Sequence, residues 1–265
     1  MMVRVGVVKT GNIGSSLVLE FLLDERADRE DVDVRVVTSG AKMGVSEAEE
    51  VVRKILDFEP DLVLYSTPNP SAPGPMKVID LLSGKNAIVF GDSPGIKIKE
   101  KLEEKGLGYI FVKADSMIGA RREFLDPTEM AIFNSDMLKV LAVTGALRLI
   151  QEEVDGVIDQ IKNKMSPKLP RIVVDKDKAI ARSGIENPKA MAKAQKAWEM
   201  AERVGELDVK ACFMTKDPDD YIPLVDSAHK LLRDAARLAE EAREIERAEN
   251  NVLRTPHSKS GKILE

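Results

Sequence analysis

Four loops hold the residues able to do chemistry, and two of them carry a carboxylate close behind a strand. Lys9-Thr10-Gly11-Asn12-Ile13-Gly14-Ser15-Ser16 follows the apolar run Val3–Val8 and leads into a helical pattern. A strand, a glycine turn and a helix start form a phosphate-binding corner. The N–H groups of the first helical turn have no partner inside the helix and point at any anion placed there. The Thr10, Ser15 and Ser16 hydroxyls can add donors. The spacing is not the dinucleotide one, because Gly6, Gly11 and Gly14 do not supply G-x-G-x-x-G. Nor does the segment end in the G-K-[ST] of a P-loop, which disfavours ATP hydrolysis. A phosphate-bearing ligand other than NAD is expected. The plainer reading is a glycine turn with Asn12 or Ser15 capping the helix.

Ser66-Thr67-Pro68-Asn69-Pro70-Ser71-Ala72-Pro73-Gly74-Pro75 follows another strand-like run, and its four prolines stiffen it. A stiff loop loses less entropy on binding, but it also serves as a plain rigid connection. In Gly91-Asp92-Ser93-Pro94-Gly95, Asp92 can accept from a ring N–H or amino group; alternatively it makes an Asx-turn or helix cap. The segment from Lys113 to Pro127 gathers Asp115, Arg121 and Arg122. Lys113 and the arginines can meet an anionic tail while Asp115 orients a heterocycle, or they form ordinary salt bridges between lobes.

Other chemistries are disfavoured. There is no G-x-S-x-G elbow, and His229 and His257 are far in sequence from these loops, which argues against a Ser-His-Asp device. One cysteine, Cys212, allows no intrachain disulfide and no cysteine-held zinc or iron–sulfur centre. It is expected as a buried strand residue, and Trp198 as helix packing. Pairs such as Glu152–Glu153 and Asp219–Asp220 are expected to be solvated charges rather than a glycosidase dyad. A net charge of -5 disfavours a general nucleic-acid surface. No stretch is long enough to span a bilayer and the opening residues lack a secretory pattern, so a cytoplasmic location is expected. Few acid–base actors remain, which favours chemistry driven by positioning and by the ligands' own electronics.

The elements that must carry these loops read as alternating strand and helix. Short branched runs at Val3–Val8, Val32–Val37, Leu62–Tyr65, Ala87–Phe90 and Tyr109–Val112 have the character of buried parallel strands. Helical stretches fall around Ser16–Leu23, Ser46–Phe58, Gly74–Leu82 and Ile98–Glu104, with Ser46 and Glu49 as a capping box. An open parallel α/β sheet is the expected fold, with ligands beyond the carboxyl ends of its strands. The character changes after Asp126-Pro127-Thr128, which suggests a ligand-binding domain over 1–127 and a helical lobe over 128–265. One long helix is expected from Glu129 to Lys164, then helices over Pro188–Val204 and Ala228–Asn250, with short strands at Arg171–Val174 and Ala211–Met214. Alanines on the last helix suit close helix packing or a subunit interface. The tail from Thr255 is expected to fray unless another subunit pins it.

Several blocks together carry a specific resemblance. Val5-Gly6-Val7-Val8-Lys9-Thr10-Gly11-Asn12-Ile13-Gly14, Leu22-Leu23-Asp24-Glu25-Arg26-Ala27-Asp28-Arg29 and Thr38-Ser39-Gly40-Ala41-Lys42-Met43 resemble the coenzyme F420-dependent methylenetetrahydromethanopterin dehydrogenases. So do Ser66-Thr67-Pro68-Asn69-Pro70, Gly91-Asp92-Ser93-Pro94 and the run from Lys113 to Pro127. The resemblance covers the whole chain. It implies a Rossmann-like α/β fold with an added helical part and a small β segment. It implies reversible hydride transfer from 5,10-methylenetetrahydromethanopterin to C5 of the oxidised deazaflavin F420, a step of methanogenic one-carbon metabolism. F420 would be a dissociable cosubstrate, with no metal, flavin or NAD, and the assembly a homohexamer built as a trimer of dimers. On this reading Thr10, Gly11, Asn12, Ile13, Ser15, Ser66, Thr67, Pro68 and Asn69 would bind F420, with its phosphodiester near Gly11–Ser15. Asp115 or Asp92 would stabilise the cation left by the hydride. A transferase using a nucleotide or phosphosugar, and a nucleotide-binding sensor, are the other readings of the same first loop.

Overall fold

A computed structural model of the chain describes residues 2–23, 29–121 and 124–264. The resemblance block at Asp24–Asp28, and Arg122 with Glu123, lie outside the described residues. Contacts divide the chain into two compact units. The first comprises Met1–Val112, Ile150–Val173 and Arg254–Glu265, and the second Lys113–Leu149 and Val174–Leu253. A single cut at 127/128 does not describe this division, because part of a helix and the tail return to the first unit.

The sheet has six strands: β1 (Val3–Lys9), β2 (Val32–Thr38), β3 (Leu62–Ser66), β4 (Ala87–Gly91), β5 (Gly108–Val112) and β6 (Arg171–Val174). Their order is β2-β1-β3-β4-β5-β6, and the first five pair in parallel. Strands β3, β4 and β5 are buried along their whole length, which is why their sequences are unbroken apolar runs rather than alternations. The connecting helices are α1 (Gly14–Leu23), α2 (Val45–Leu56), α3 (Pro73–Leu81) and α4 (Lys99–Glu104), with a 3-10 segment at Ser93–Ile98. One face of the sheet shares a core with α2 and α3 through Val8, Val63, Tyr65, Val89 and Phe111 against Val52, Ile55 and Val78. The expected capping box is absent: α2 starts at Val45 on Gly44 with no side-chain cap. Glu49 is taken instead by Arg53, its i+4 partner, at 3.0 Å.

The expected single helix after Asp126 is two, α5 (Pro127–Val143) and α6 (Ala146–Lys162), bent by 71°. Asp126 caps α5 by accepting from Glu129 N–H at 2.8 Å. The break falls at Gly145, whose φ of +93° favours glycine and whose missing Cβ leaves room for the Ala179 carbonyl. Helical periodicity runs on across such a bend, so the sequence pattern hides it. The second unit adds α7 (Lys176–Ile180), α8 (Pro188–Val209) and α9 (Pro218–Ala248). The alanines settle as helix packing: Ala194, Ala197 and Ala201 of α8 and Ala235, Ala239 and Ala242 of α9 are fully buried within the unit. Trp198 is likewise fully buried.

The strand expected at Ala211–Met214 is a π-helical turn, Lys210–Met214, that continues α8. The apolar run is too short for periodicity to separate the two states. Arg121 decides it locally: Nε and Nη2 donate to Ala211 O at 3.1 and 2.7 Å, and Nη2 also to Thr215 O. Cys212 therefore lies in a helical turn, half-buried, and not in a buried strand. Nor does the tail fray. His257 bridges Ile263, Leu264 N–H donates to Pro256 O at 2.8 Å, and Glu30 N–H donates to Lys259 O at 2.7 Å. The chain pins its own end, which composition alone does not reveal.

Candidate functional site

Within the first unit, the loops leaving β1, β2, β3 and β4 converge at the carboxyl edge of the sheet. Backbone bonds tie each loop to the next: Thr10 N–H to Ser66 O at 3.0 Å, Gly11 N–H to Gly40 O at 2.9 Å, and Thr67 N–H to Phe90 O at 3.1 Å. Gly11 has φ +77°, and a Cβ there would lie 2.7 Å from Pro68 Cδ and 2.9 Å from Met43 Sδ. Only glycine allows this turn and this approach together. Pro70 sits as closely against Gly91, where a Cβ would be 2.6 Å from Pro70 Cγ. The prolines of the second loop thus form a wall between the first and third loops.

The groups lining this edge are mainly hydroxyls. Thr10, Ser15, Ser16, Ser66 and Thr67 are all fully buried. Ser16 Oγ and Ser66 Oγ lie 2.7 Å apart, and Thr10 Oγ1 lies 2.7 Å from Tyr65 Oη. Ser16 Oγ also accepts weakly from Ile13 N–H at 3.4 Å and so serves the start of α1. Thr67 Oγ1 is buried and falls outside hydrogen-bond geometry with every described residue. A buried hydroxyl left in that state is costly unless a ligand or water completes it. Ile13 is buried beneath the loop, and Asn12 is half-buried.

Of the F420-binding residues expected from the resemblance, the structure gathers Thr10, Gly11, Asn12, Ile13, Ser15, Ser66, Thr67, Pro68 and Asn69 at one edge of one unit. Asn69 Oδ1 already accepts from Ser71 N–H at 3.1 Å and Ser71 Oγ at 2.6 Å, so that oxygen shapes the loop. Asp92 caps the 3-10 segment by accepting from Ser93 N–H, the plainer of its two readings. Asp115 belongs to the second unit and is fully buried just after β5. Lys113 lies 3.7 Å from Glu202 and Arg121 is held on the π-turn, so both have internal partners.

The sequence reading missed three contributors. Met43 and Gly40 come from the β2 loop, where only their place in a family block marks them. Tyr65 was legible as a polar tip ending an apolar strand beside Ser66 and Thr67. His229 is also closer to the fourth loop than its position in the sequence suggests. Its ring meets Phe124 edge-on at 4.8 Å, and its Nδ1 lies 3.5 Å from Glu129. Burial pulls the His229 pKa below its ordinary value, with Glu129 and the Gly119 backbone opposing that shift.

Comparison with known proteins decides the family. Residues 3–265 match the family described as methylene-5,6,7,8-tetrahydromethanopterin dehydrogenase. The chain belongs to this family. It is 56% identical over 266 residues to the F420-dependent methylenetetrahydromethanopterin dehydrogenase of Methanothermobacter marburgensis, covering 100% of this chain and 96% of the relative. Its identity to the enzyme of the same name from Archaeoglobus fulgidus is also 56%, over 264 residues with the same coverage. A solved structure, an F420-dependent methylene-tetrahydromethanopterin dehydrogenase in complex with methylene-tetrahydromethanopterin and coenzyme F420, superposes with a TM-score of 0.96 at 48% identity. That match covers 100% of this chain and 96% of the other. The Rossmann-like α/β fold that the resemblance implied is the one this member of the family has.

Proposed function

We propose that this chain moves a hydride from 5,10-methylenetetrahydromethanopterin to oxidised coenzyme F420, reversibly, with the carboxyl edge of the first unit holding the phosphate-bearing part of F420. Full-length family membership and the ternary complex of the structural relative support the reaction. The buried Thr67 hydroxyl, which acts on the Tyr65 phenol but falls outside hydrogen-bond geometry with every described residue, is the observation that supports the placement. The Gly11 cradle agrees, because a side chain there would fill the space beside Pro68 and Met43. When bound, the deazaflavin supplies a carbon that accepts the hydride.

The work left to the protein is positional. The methylene carbon lies between two nitrogens whose lone pairs stabilise the cation formed as the hydride leaves, so no protein nucleophile is needed. Thr10, Ser15 and Thr67 donate to the phosphate, while Ser66 and the Pro68–Asn69 turn hold its wall. Asp115 or Asp92 stabilises the developing positive charge, and water is excluded from it. Replacing the responsible aspartate by Asn lowers turnover by about 10²-fold while changing F420 affinity little. Unchanged turnover in both Asp115→Asn and Asp92→Asn removes the carboxylates from the mechanism.

The assembly we propose is a homo-oligomer, a hexamer built as a trimer of dimers. Phe213 and Met214 on the π-turn, 71% and 73% exposed, support burial against another copy. A cytoplasmic setting is part of the same proposal. Among the described residues no single helix is long and apolar enough to cross a membrane. The deciding experiment mixes protein, methylenetetrahydromethanopterin and F420 and follows the loss of oxidised-deazaflavin absorbance, with NAD and NADP in parallel. Deuterium carried on the methylene group must appear in the reduced F420. Label arriving from solvent instead rules out direct transfer.

A further inference from the structure

Tyr65, next to last in β3, has its side chain fully buried among Val8, Val63, Val89 and Phe111. A phenylalanine would fill that apolar space as well, yet the position carries a hydroxyl, and a hydroxyl taken out of water needs a partner. Its oxygen lies 2.7 Å from Thr10 Oγ1, on the neighbouring strand's loop. Thr67, two residues further on and also fully buried, acts on the same phenol without reaching hydrogen-bond geometry. The phenol therefore sits beneath two hydroxyls from two different loops.

The polarity of the Tyr65–Thr10 bond matters. A threonine hydroxyl has one proton and two acceptor sites. If Thr10 gives its proton to Tyr65, it turns only lone pairs toward the ligand edge, which repel an anion. If Tyr65 gives its proton to Thr10, the Thr10 proton is released outward as a donor. Burial holds the phenol protonated far above the physiological range, against smaller opposing effects of Thr10 and Thr67, so the proton it donates is always present.

We propose that Tyr65 is a positioning residue for the anion-binding edge: its hydroxyl donates to Thr10 Oγ1, fixing the Thr10 rotamer and turning the Thr10 proton toward the phosphate-bearing cosubstrate. The inference rests on the placement of F420 at Thr10 and adds the residue that orients it. Tyr65 touches no reacting atom, so its effect falls on cosubstrate affinity and not on the hydride step.

The test is a double-mutant cycle read as steady-state constants. Tyr65→Phe raises KM for F420 about tenfold, the worth of one ordinary hydrogen bond. It leaves kcat at saturating F420 and KM for methylenetetrahydromethanopterin within about twofold. Thr10→Val raises the F420 KM similarly, and the double variant is no worse than Thr10→Val alone, because Tyr65 acts through Thr10. An unchanged F420 KM in Tyr65→Phe, or effects that multiply in the double variant, overturns the role of Tyr65 and leaves the placement of F420 standing. A Thr10→Val variant with normal F420 affinity overturns the placement itself, and the inference with it.

Discussion

At the carboxyl edge of the first unit, the loops leaving β1 and β3 carry their buried polarity on neutral hydroxyls and backbone amides, with the Asp92 carboxylate after β4 tied up as a cap; at the amino edge, buried polarity is carried by charge pairs. Asp31, which precedes β2, accepts from Arg29 through both carboxylate oxygens at 3.0 Å. Arg29 also lies 3.7 Å from Asp155, and Asp155 Oδ2 lies 2.7 Å from His257 Nε2. Lys162 reaches Asp31 at 3.3 Å and Ser260 O at 2.8 Å. Arg29, Asp31, Asp155 and His257 are all nearly or wholly buried. This network clasps the C-terminal tail against the starts of β1 and β2. The hydroxyls of the first edge face no counter-charge, which suits the anion proposed to bind there. At the other, the charges pair with one another and hold the chain end. Isolated buried charge is costly, and pairing offsets that cost.

Breaking the amino edge is expected to give the largest effect. Asp155→Ala leaves Arg29 and His257 without their shared carboxylate and should cost about 3–5 kcal/mol of stability. Denaturant unfolding measures it, and activity per folded molecule should survive. A variant as stable as the parent would show that the network is decorative. The converse change is Gly11→Ala. It forces a Cβ toward Pro68 in a left-handed turn, with a stability cost of about 1–3 kcal/mol. F420-dependent turnover should fall about 10²-fold, because the loop that places the cosubstrate is displaced. Near-normal activity would mean that the four-loop junction is not where F420 sits.

A smaller effect sharpens the contrast through pH. Burial pushes the Asp31 carboxyl up, but Arg29 and then Lys162 outweigh it and hold its pKa below the ordinary 3.8. The unfolded chain thus takes up this proton first on acidification. The stabilisation is fully present above the unfolded pKa of 3.8 and is lost as pH falls through the lower folded value. Melting temperatures measured from neutral pH downward should fall more steeply below that point in the parent than in Asp31→Asn. Parallel curves would remove Asp31 from the acid response. The hydroxyl edge, which has no such carboxylate at Thr10, Ser16, Ser66 or Thr67, should add nothing to that slope.

Much of the carboxyl edge could be read beforehand because its logic is local. A strand followed by Thr10-Gly11 and a helix start, or by Ser66-Thr67-Pro68, announces a polar loop at a strand end wherever the chain folds into a parallel sheet. The amino edge could not be read in this way. His257 and Asp155 are far apart in sequence, as are Lys162 and Asp31, and no spacing connects them. The bend at Gly145 and the π-turn at Ala211 were hidden for a related reason: each is decided by a contact from elsewhere, the Ala179 carbonyl in one case and the Arg121 guanidinium in the other.

The sequence alone determined the strand–helix alternation, the polar strand ends and the family. These depend on hydrophobic periodicity, turn chemistry and long ordered blocks, all carried by neighbouring residues. Tertiary structure decided which hydroxyls meet, how Tyr65 reaches Thr10, where the helices break and what holds the tail. Those outcomes depend on side chains brought together from distant parts of the chain, where burial makes a hydrogen bond or ion pair across the fold matter more than local preference.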